Sequence, residues 1–427
     1  MEIKALHQLF LKSSGICTDT RQIVPNTIFF ALKGANFNGN QFADQALKEN
    51  VNFVVVDDPT VVKSDRFILV KDTLKTLQDL GNYHRKQFNL PVIGITGSNG
   101  KTTSKELIGS VLSQKYNVLM TQGNLNNHLG VPFTLLKLDE THEIAIIEMG
   151  ANKPGDIKEL AEIAEPTHGI ITNIGKAHIE GFGSLQGVIN TKTELYNFVE
   201  YTQGQIFYNT DDAILNKELP ANIECIGYGK SVGKISGKLK ALTPFVELAW
   251  QKENYESPVI STQLVGKYNF TNFLAAICIG NYFDVEPIAI NYALTNYAPS
   301  NNRSQVTKTE RNTLIVDCYN ANPSSMASAL ESFFEIDAKH KLVILGDMLE
   351  LGNISESEHK NIAAILAQKS TEVILVGHEF KNIGSDFQTY LTVQELTSHI
   401  DLSQVRDTLI LLKGSRGIKL EALIEKL

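Results

Sequence analysis

Short apolar runs rich in β-branched residues alternate with amphipathic stretches along almost the whole chain. Each run is bounded by polar residues or glycine, which is typical of strands that are buried on both faces of a parallel sheet. The predicted strands are residues 53–56, 92–96, 144–147, 169–172, 314–316, 342–345, 373–376 and 409–412. After the strand at 92–96, an apolar stripe at helical spacing comprises Leu107, Ile108, Val111 and Leu112. This alternation predicts an α/β fold.

Two segments that contain proline divide the pattern, one at residues 88–91 just before a strong predicted strand and the other a polar linker at 298–302. We therefore predict three domains, which comprise residues 1–88, 89–300 and 301–427. Within the middle domain, residues 204–262 hold short alternating runs and little helical pattern, so we predict a β-rich excursion there.

Composition and charge exclude several classes of function but do not identify the activity. The 427 residues are 43% hydrophobic and 20% charged, and their net charge is −8, which argues against a nucleic-acid or anionic-membrane surface. The four cysteines are at least 40 residues apart, so they form no zinc or redox motif and fit a reducing compartment. We see no signal peptide, and the longest apolar stretch falls far short of the ~20 residues of a membrane helix. We expect a soluble, cytoplasmic protein.

The strongest chemical motif lies between the predicted strand at 92–96 and the helical stripe. It reads Gly97, Ser98, Asn99, Gly100, Lys101, Thr102 and Thr103. In such a phosphate loop, glycines let backbone N–H groups converge on phosphate oxygens, and the N-terminus of the next helix adds partial positive charge. The lysine would reach the β and γ phosphates, and the hydroxyl of Thr102 would ligate Mg²⁺. Only two residues separate the glycines, fewer than in the common motif. A glycine-rich turn with a surface lysine is the alternative, but the strand, loop and helix together favour nucleotide binding.

Charged side chains follow two further predicted strands. Glu148 ends the strand at 144–147, where a carboxylate would point into the ligand crevice and help to hold Mg²⁺. A solvated acid at a strand end is the alternative. His178 follows the strand at 169–172, and the residues alone favour a structural histidine over a ligand. By composition, Lys192 and Glu194 indicate an ordinary exposed helix face.

Taken together, these motifs resemble the Mur ligases, which are ATP-dependent amide-forming enzymes of peptidoglycan precursor synthesis. The similarity covers nearly the whole chain, including the shorter phosphate loop, and its motifs lie at residues 18–21, 96–103, 123–132, 148–152, 177–184, 268–272, 317–323, 346–352 and 413–416. The sequence from Tyr319 to Pro323, Tyr-Asn-Ala-Asn-Pro, is similar to that of the members that add a dipeptide. The amino-acid-adding members and the folylpolyglutamate synthetases carry a Tyr-Ala-His-like version instead. No Asp-Asn-Pro-Arg motif of the diaminopimelate-adding member is present.

The resemblance implies a three-domain Mur ligase architecture, with a central phosphate-loop ATPase-like domain and a Rossmann-like C-terminal domain. It implies that D-alanyl-D-alanine is joined to UDP-N-acetylmuramoyl-tripeptide through an acyl phosphate, at the expense of ATP and with two Mg²⁺ ions. The first domain would bind UDP, and the last would close over ATP and bind the dipeptide. We expect a monomer that spans no membrane and binds no nucleic acid.

The resemblance also implies roles for individual residues. Lys101, His178 and Lys192 match catalytic positions of the family. The Mg²⁺ ligands would be Thr102, Glu148, His178 and a carbamylated Lys192, in which a −1 carbamate replaces a +1 ammonium. The nucleotide would be held by the phosphate loop, by Asn272 at the adenine, by Asp317 at the ribose and by Arg303 at the phosphates. In place of the family's usual Pro-Gly-Arg, this chain has Asn301, Asn302 and Arg303.

Substrate contacts are implied in the same way. Asn126 and Asn127 would face the UDP-sugar peptide, and Thr18 and Arg21 would lie near the uridine. The candidates for the dipeptide side are Asn320, Asn322, Ser415 and Arg416.

Two other functions stay open. One is another amide ligase, such as a folylpolyglutamate synthetase, and the other, in a different class, is a phosphate-loop kinase or NTPase. The third residue of the substrate peptide stays open between lysine and diaminopimelate.

Overall fold

Three large sheets organise the computed structural model, which describes residues 1–242, 244–299 and 303–427. Part of the predicted linker at 298–302 lies outside these described residues. Each of the three sheets falls inside one of the predicted domains, while the boundaries after residues 88 and 300 stay predictions.

The N-terminal sheet is parallel and has the strand order β1-β2-β5-β6. Its strand β2 is completely buried because all three of its residues are apolar. The elements of this part of the chain are α1 (Ile3–Phe10), β1 (Ile16–Cys17), β2 (Ile28–Phe30), β3 (Lys33–Gly34), β4 (Phe37–Asn38), α2 (Ala43–Lys48), β5 (Phe53–Val56), β6 (Phe67–Leu69) and α3 (Thr73–Arg85).

The central sheet comprises ten strands of the described chain, in the order β15-β14-β13-β12-β11-β10-β7-β9-β8 with β16 paired to β14. Helices α4 and α10 cover one face, and helices α5, α6 and α8 cover the other. The elements are β7 (Val92–Thr96), α4 (Lys101–Leu112), β8 (Val118–Met120), α5 (Gly130–Leu135), β9 (Ile144–Glu148), α6 (Asp156–Ala164), β10 (His168–Ile171), α7 (Ile179–Phe182), α8 (Leu185–Tyr201), β11 (Gln205–Asn209), α9 (Ala213–Lys217), β12 (Cys225–Gly229), β13 (Ile235–Ala241), β14 (Phe245–Lys252), β15 (Tyr255–Glu256), β16 (Ile260–Val265), α10 (Asn269–Tyr282) and α11 (Pro287–Asn296).

The C-terminal sheet has the order β17-β18-β22-β19-β20-β21, and β17 is its antiparallel edge strand. Helices pack on both faces, as in a doubly wound fold. Its elements are β17 (Gln305–Lys308), β18 (Thr313–Asp317), α12 (Pro323–Glu335), β19 (Lys341–Gly346), α13 (Ser355–Ala367), β20 (Glu372–Val376), α14 (His378–Asn382), β21 (Gln388–Tyr390), α15 (Val393–His399) and β22 (Leu409–Lys413).

The sequence prediction of buried strands is confirmed. All eight predicted runs are strands, with ends that differ by no more than one residue. The apolar stripe on α4 is confirmed as well, because its four side chains are fully buried. The predicted excursion at 204–262 is rich in strands, and these strands extend the central sheet through β11–β16. In the described parts of the chain, no helix has the length and apolar character needed to cross a bilayer.

Helix α3 fastens the N-terminal region to the central one. Its Asn82 and Arg85 donate hydrogen bonds to main-chain carbonyls of residues 162–165, at the C-terminal end of α6. Those carbonyls have no partner within their own helix and carry partial negative charge, so a cation and an amide are suitable caps. On the same helix, His84 lies 2.9 Å from the carbonyl oxygen of Leu138 and 2.9 Å from the ring of His7.

A buried histidine makes the central sheet sensitive to acid. His168 packs among Phe207, Tyr282 and Phe283, and burial lowers its pKa to about 4. Below the ordinary histidine pKa of about 6.5, this side chain is protonated in the unfolded chain but stays neutral in the folded chain. His168 therefore leaves the free energy of unfolding unchanged above pH 6.5 and lowers it progressively as the pH falls from 6.5 towards 4.

We expect the H168F variant to lose part of the acid sensitivity of the central sheet. Between pH 7 and pH 5, wild type should lose about 2 kcal/mol more stability than this variant. Trp250, the single tryptophan, lies in β14 of the same sheet, so urea unfolding can be followed by its fluorescence. The matched control is H340F, which changes an exposed histidine. If the free energy of unfolding depends on pH equally in H168F and wild type, His168 is not the source of the acid sensitivity.

Candidate functional site

The phosphate loop leaves the C-terminal end of β7 and enters helix α4. Gly97 and Gly100 have φ values of +144° and +77°, a region that side chains rarely adopt. A Cβ at Gly97 would lie 2.0 Å from the hydroxyl of Thr172. That hydroxyl donates to the carbonyl of Asn99 at 2.6 Å, so the loop fits closely against the end of β10.

The segment after β10 fixes the rest of the loop. The Ser98 hydroxyl accepts from the main-chain nitrogen of Gly175 and donates to its carbonyl, at 2.8 and 3.0 Å. The Asn173 side chain exchanges two hydrogen bonds of 3.0 Å with the main chain of Asn99. Two strand ends thus hold the loop in one conformation, which is the preorganisation that binding of phosphate oxygens needs.

Lys101 begins helix α4, and its ammonium donates to the carbonyls of Gly97 and Ser98 at 2.7 and 3.4 Å. Burial lowers the pKa of Lys101 to about 8, the charge of Glu148 opposes this shift, and Arg303 adds to it. The predicted loop residues Gly97 to Thr103 are therefore brought together as a phosphate loop requires.

Glu148 lies at the end of β9, only 1% exposed, and faces the start of α4. Its Oε1 accepts from the hydroxyl of Thr102 at 3.1 Å and from the side-chain amide of Asn126 at 2.8 Å. Its Oε2 has no hydrogen-bond partner among the described residues and lies 3.8 Å from the ammonium of Lys105. The structure thus joins Thr102, Asn126 and Glu148, which the sequence placed in separate motifs.

This arrangement fits a magnesium ion. The buried carboxylate oxygen without a hydrogen bond and the adjacent hydroxyl of Thr102 are the hard oxygen ligands that Mg²⁺ prefers. The described residues contain no group of three or more His, Cys, Asp and Glu side chains that could hold a metal. A site that relies on few protein ligands matches the habit of Mg²⁺ to take its remaining ligands from phosphates and water.

His178 and Lys192 form a cluster around Phe182. The Nδ1 atom of half-buried His178 is hydrogen-bonded to the carboxylate of Glu350, which belongs to the C-terminal region. Burial lowers the pKa of His178, Glu350 opposes the shift, and Lys101 and Lys192 add to it. The ammonium of Lys192 lies 5.6 Å from the centroid of the Phe182 ring.

The interpretation of Lys192 as part of an exposed helix face is wrong. Its side chain is only 2% exposed in the middle of α8, and among the described residues no carboxylate forms an ion pair with it. Burial and the charge of Lys101 lower the pKa of this amine well below its ordinary value. Glu194 is half-buried, and its carboxylate accepts from the main-chain nitrogens of Gly155 and Lys158 at the start of α6.

The expected nucleotide contacts line the far side of the cleft. The side-chain oxygen of Asn272 accepts from Ser104 at 3.1 Å, close to Gly100. Asp317, at the end of β18, forms an ion pair with the fully buried Lys413. The guanidinium of Arg303 lies 3.6 Å from the centroid of the Tyr319 ring.

The four residues expected on the dipeptide side take different positions. Asn322 caps helix α12 through a capping box, and its amide donates to the side-chain oxygen of Asn99 at 2.7 Å. Asn320 is exposed and lines the cleft. The buried hydroxyl of Ser415 accepts from the main-chain nitrogen of Leu349 at 3.0 Å. Arg416 is exposed, with its guanidinium 5.5 Å from the Tyr319 ring.

The residues expected near the UDP-sugar peptide are more widely spread. The side-chain oxygen of Asn127 accepts from the main-chain nitrogens of Leu129 and Gly130, so this part of the residue caps α5. Arg21 is exposed and pairs with Asp19, and Thr18 is half-buried near it. Neither Thr18 nor Arg21 is among the described residues that line the main cavity.

A cavity of about 950 Å³ lies between the three sheets, and expected site residues that include Lys101, Glu148 and His178 line it. Thr102, Lys192, Ser415 and Arg416 are not among its lining residues. Its walls come from the phosphate loop, the ends of β9 and β10, helix α3 through Leu74, and the C-terminal region through residues that include Asp317 and Asn322. A cavity of this volume suits ligands larger than a nucleotide alone.

Sequence reasoning gave no role to four charged or aromatic residues of the site. Lys105 lies one turn after Lys101 on α4, and Lys413 directly follows a predicted strand, so helical spacing and strand ends would have indicated both. Tyr319 follows the strand that ends at Asp317. For Glu350 no local signal exists, because its partner His178 is 172 residues away along the chain.

Comparisons with known proteins agree with this architecture. Three family models match in succession, which are "Mur ligase family, catalytic domain" at residues 12–85, "Mur ligase middle domain" at 95–280 and "Mur ligase, glutamate ligase domain" at 302–416. The UDP-N-acetylmuramoyl-tripeptide–D-alanyl-D-alanine ligase of Bacillus subtilis (strain 168) is 33% identical, over 97% of this chain and 93% of that protein.

Solved structures agree as well. MurF from Acinetobacter baumannii has a TM-score of 0.89 and 29% identity, covering 99% of this chain and 97% of that one. The MurF ligase from Thermotoga maritima in complex with ADP has a TM-score of 0.88 and 26% identity, covering 97% of both chains. Full-length similarity of sequence, domain order and fold shows that this chain belongs to the Mur ligase family.

Proposed function

We propose that this chain is an ATP-dependent ligase that joins D-alanyl-D-alanine to UDP-N-acetylmuramoyl-tripeptide, forming an amide bond and releasing ADP and phosphate. The observation that carries the proposal is the preorganised phosphate loop facing a cavity that all three regions line. The relatives that match over their full length carry the name of this activity. The sequence Tyr-Asn-Ala-Asn-Pro at 319–323 favours a dipeptide as the second substrate.

We propose that the reaction runs through an acyl phosphate. The terminal carboxylate of the tripeptide attacks the γ-phosphorus of ATP, and ADP leaves. The amine of the dipeptide then attacks the acyl carbon, the new amide forms, and phosphate leaves. Lys101 and the loop N–H groups stabilise the charge on the transferring phosphoryl group, which is a contact strengthened in the transition state.

Thr102, Glu148, His178 and a carbamylated Lys192 are the proposed holders of two Mg²⁺ ions, which would neutralise phosphate charge when bound. Lys192 is almost fully buried, and no carboxylate of the described chain forms an ion pair with it. The charges of Asp156 and Glu194 only partly offset the lowering of its pKa by burial and by Lys101, which supports the carbamate. Asn272 and Asp317 are proposed for the nucleoside, and Asn126 and Asn127 for the sugar peptide. Thr18 and Arg21 are proposed for the uridine.

Contacts between the central and C-terminal regions support a closed reaction chamber. Asn322 reaches Asn99 in the phosphate loop, Glu350 reaches His178, and Glu358 pairs with Lys176 at 2.8 Å. Closure would exclude water, which would otherwise hydrolyse the acyl phosphate. Asn320, Asn322, Ser415 and Arg416 are the proposed dipeptide side of this chamber. All four cysteines are free, which supports a place in the reducing cytoplasm.

We expect ADP release only when ATP, UDP-N-acetylmuramoyl-tripeptide and D-alanyl-D-alanine are all present. A coupled assay with each component omitted in turn measures this dependence. Full ADP release without the dipeptide would contradict a ligase and indicate an NTPase or a kinase. With ¹⁸O in the tripeptide carboxylate, the released phosphate should carry the label. Unlabelled phosphate would rule out the acyl phosphate.

The K101A variant should lower the ligation rate roughly 100-fold or more, because it removes a charge that stabilises the transition state. Its fold should persist, since the ammonium contacts only carbonyls of its own loop. The steady-state rate and the circular dichroism spectrum are the measurements. The control is K115A, which changes an exposed lysine just beyond the other end of α4. Near-normal turnover of K101A would remove the phosphate-loop assignment.

The K192A and K192R variants should both lose ligation almost completely, because neither can carry a carbamate. A small carboxylate such as formate should partly restore K192A by occupying the space that the carbamate fills, and it should not restore K192R. Rates are measured at saturating ATP and Mg²⁺, with and without depletion of bicarbonate. An exposed lysine on α6 provides the control K158A. Near-equal rates in wild type and the two Lys192 variants would contradict the carbamate.

A further inference from the structure

The ring of Tyr319 carries two guanidinium groups from different segments. The central carbon of the Arg303 guanidinium lies 3.6 Å from the ring centroid, which is close stacking. The corresponding carbon of Arg416 lies 5.5 Å from the same centroid. Both distances are within the range of about 6 Å over which a cation is attracted to an aromatic face.

Of the described aspartates and glutamates, none forms an ion pair with Arg303 or Arg416. Asp317, two residues before Tyr319, is paired with Lys413 instead. The buried Nε of Arg303 has no hydrogen-bond partner among the described residues. Stacking on Tyr319 is therefore the contact that orients the Arg303 guanidinium.

An aromatic ring and a carboxylate can both orient an arginine, but they differ in how much of its charge and how many of its N–H donors they leave free. A carboxylate would cancel the positive charge and occupy two of the five N–H donors. The face of a tyrosine fixes the plane of the guanidinium while leaving its charge uncompensated and its donors free. The hydroxyl of Tyr319 makes no hydrogen bond in the described part of the chain, so the ring and not the hydroxyl makes this contact.

The Arg303 guanidinium faces the place where phosphates are expected. Arg303, Tyr319 and Lys101 line the same cavity. The charge of Arg303 is close enough to Lys101 to act on its ammonium, so the two cations approach the phosphate loop from opposite regions of the chain. Two unpaired cations beside a set of converging N–H donors indicate a polyanion as the occupant.

We propose that Tyr319 is a positioning residue, whose ring holds the Arg303 guanidinium over the β and γ phosphates of ATP with its charge intact. The inference rests on the proposed function only for the identity of the anion. Because Arg416 lies over the same ring, Tyr319 also links the phosphate side of the site to the expected dipeptide side.

The test is a double-mutant cycle on nucleotide binding. Dissociation constants for ATP and AMP are measured by calorimetry in the full chain, with no other substrate present. The variants are Y319F and Y319L, each made alone and together with R303A. Y292L removes an exposed tyrosine on α11 and controls for loss of an aromatic residue. Thermal unfolding of every variant separates loss of binding from loss of fold.

We expect Y319L to weaken ATP roughly 3- to 20-fold, while AMP changes less than about twofold. Y319F keeps the ring and should stay within about threefold of wild type. With R303A present, Y319L should have less than about a twofold further effect on ATP, because its partner is already gone.

Three results would overturn the proposal. Equal losses for ATP and AMP in Y319L would mean that the ring contacts the nucleoside. Equal losses in Y319F and Y319L would assign the effect to the hydroxyl. Additive effects of Y319L and R303A would show that the tyrosine does not act through the arginine. If the protein binds ATP but forms no amide, the proposed ligase activity is contradicted. The double-mutant cycle on ATP binding can still be interpreted in that case.

Discussion

Positive charge gathered around the buried carboxylate of Glu148 is the constraint on which the site depends. The ammonium groups of Lys101 and Lys105 lie near this carboxylate. The charge of Lys101 in turn acts on Lys192, and that of Arg303, which comes from the C-terminal region, acts on Lys101. Removing several like charges from water costs several kcal/mol for each ion unless partners compensate it. The chain meets part of this cost with carbonyl oxygens and aromatic faces, which orient the cations and leave their charge available. Such a site favours a ligand with several negative charges.

The three regions are joined in unequal ways. Helix α3 places an arginine, an asparagine and a histidine on main-chain carbonyls of the central region, and all three contacts are buried or half-buried. The C-terminal region meets the phosphate loop through a half-buried pair of side chains, Asn99 with Asn322. One hydrogen bond between two neutral side chains costs less to break than several hydrogen bonds to the carbonyls at a helix end. Substrate entry and product release are therefore easier to accommodate on the C-terminal side.

Local signals predicted the strands, the phosphate loop and Glu148, because each depends on a few adjacent residues. The β-branched residues at 92–96 predict a strand, and the spacing of the glycines that follow predicts a phosphate loop. Lys192 shows where this reasoning stops, since its neighbours Asn190 and Glu194 resemble a solvated helix face. Its burial arises from Phe182 and from elements that only the tertiary fold brings near. The same holds for Glu350, whose partner His178 lies in the central region, and for Tyr319, whose two arginines come from separate segments of the C-terminal region.

The capping of α6 by α3 has a consequence for the order in which the chain can be built. Arg85 is synthesised 79 residues before Ala164, whose carbonyl it caps, and His84 precedes Leu138 by 54 residues. While the nascent chain leaves the ribosome, Asn82 and Arg85 on α3 therefore lack their carbonyl partners until the sixth helix has emerged. The first sheet and the first three strands of the second thus mature together, as a cotranslational unit of roughly 165 residues that crosses the predicted domain boundary.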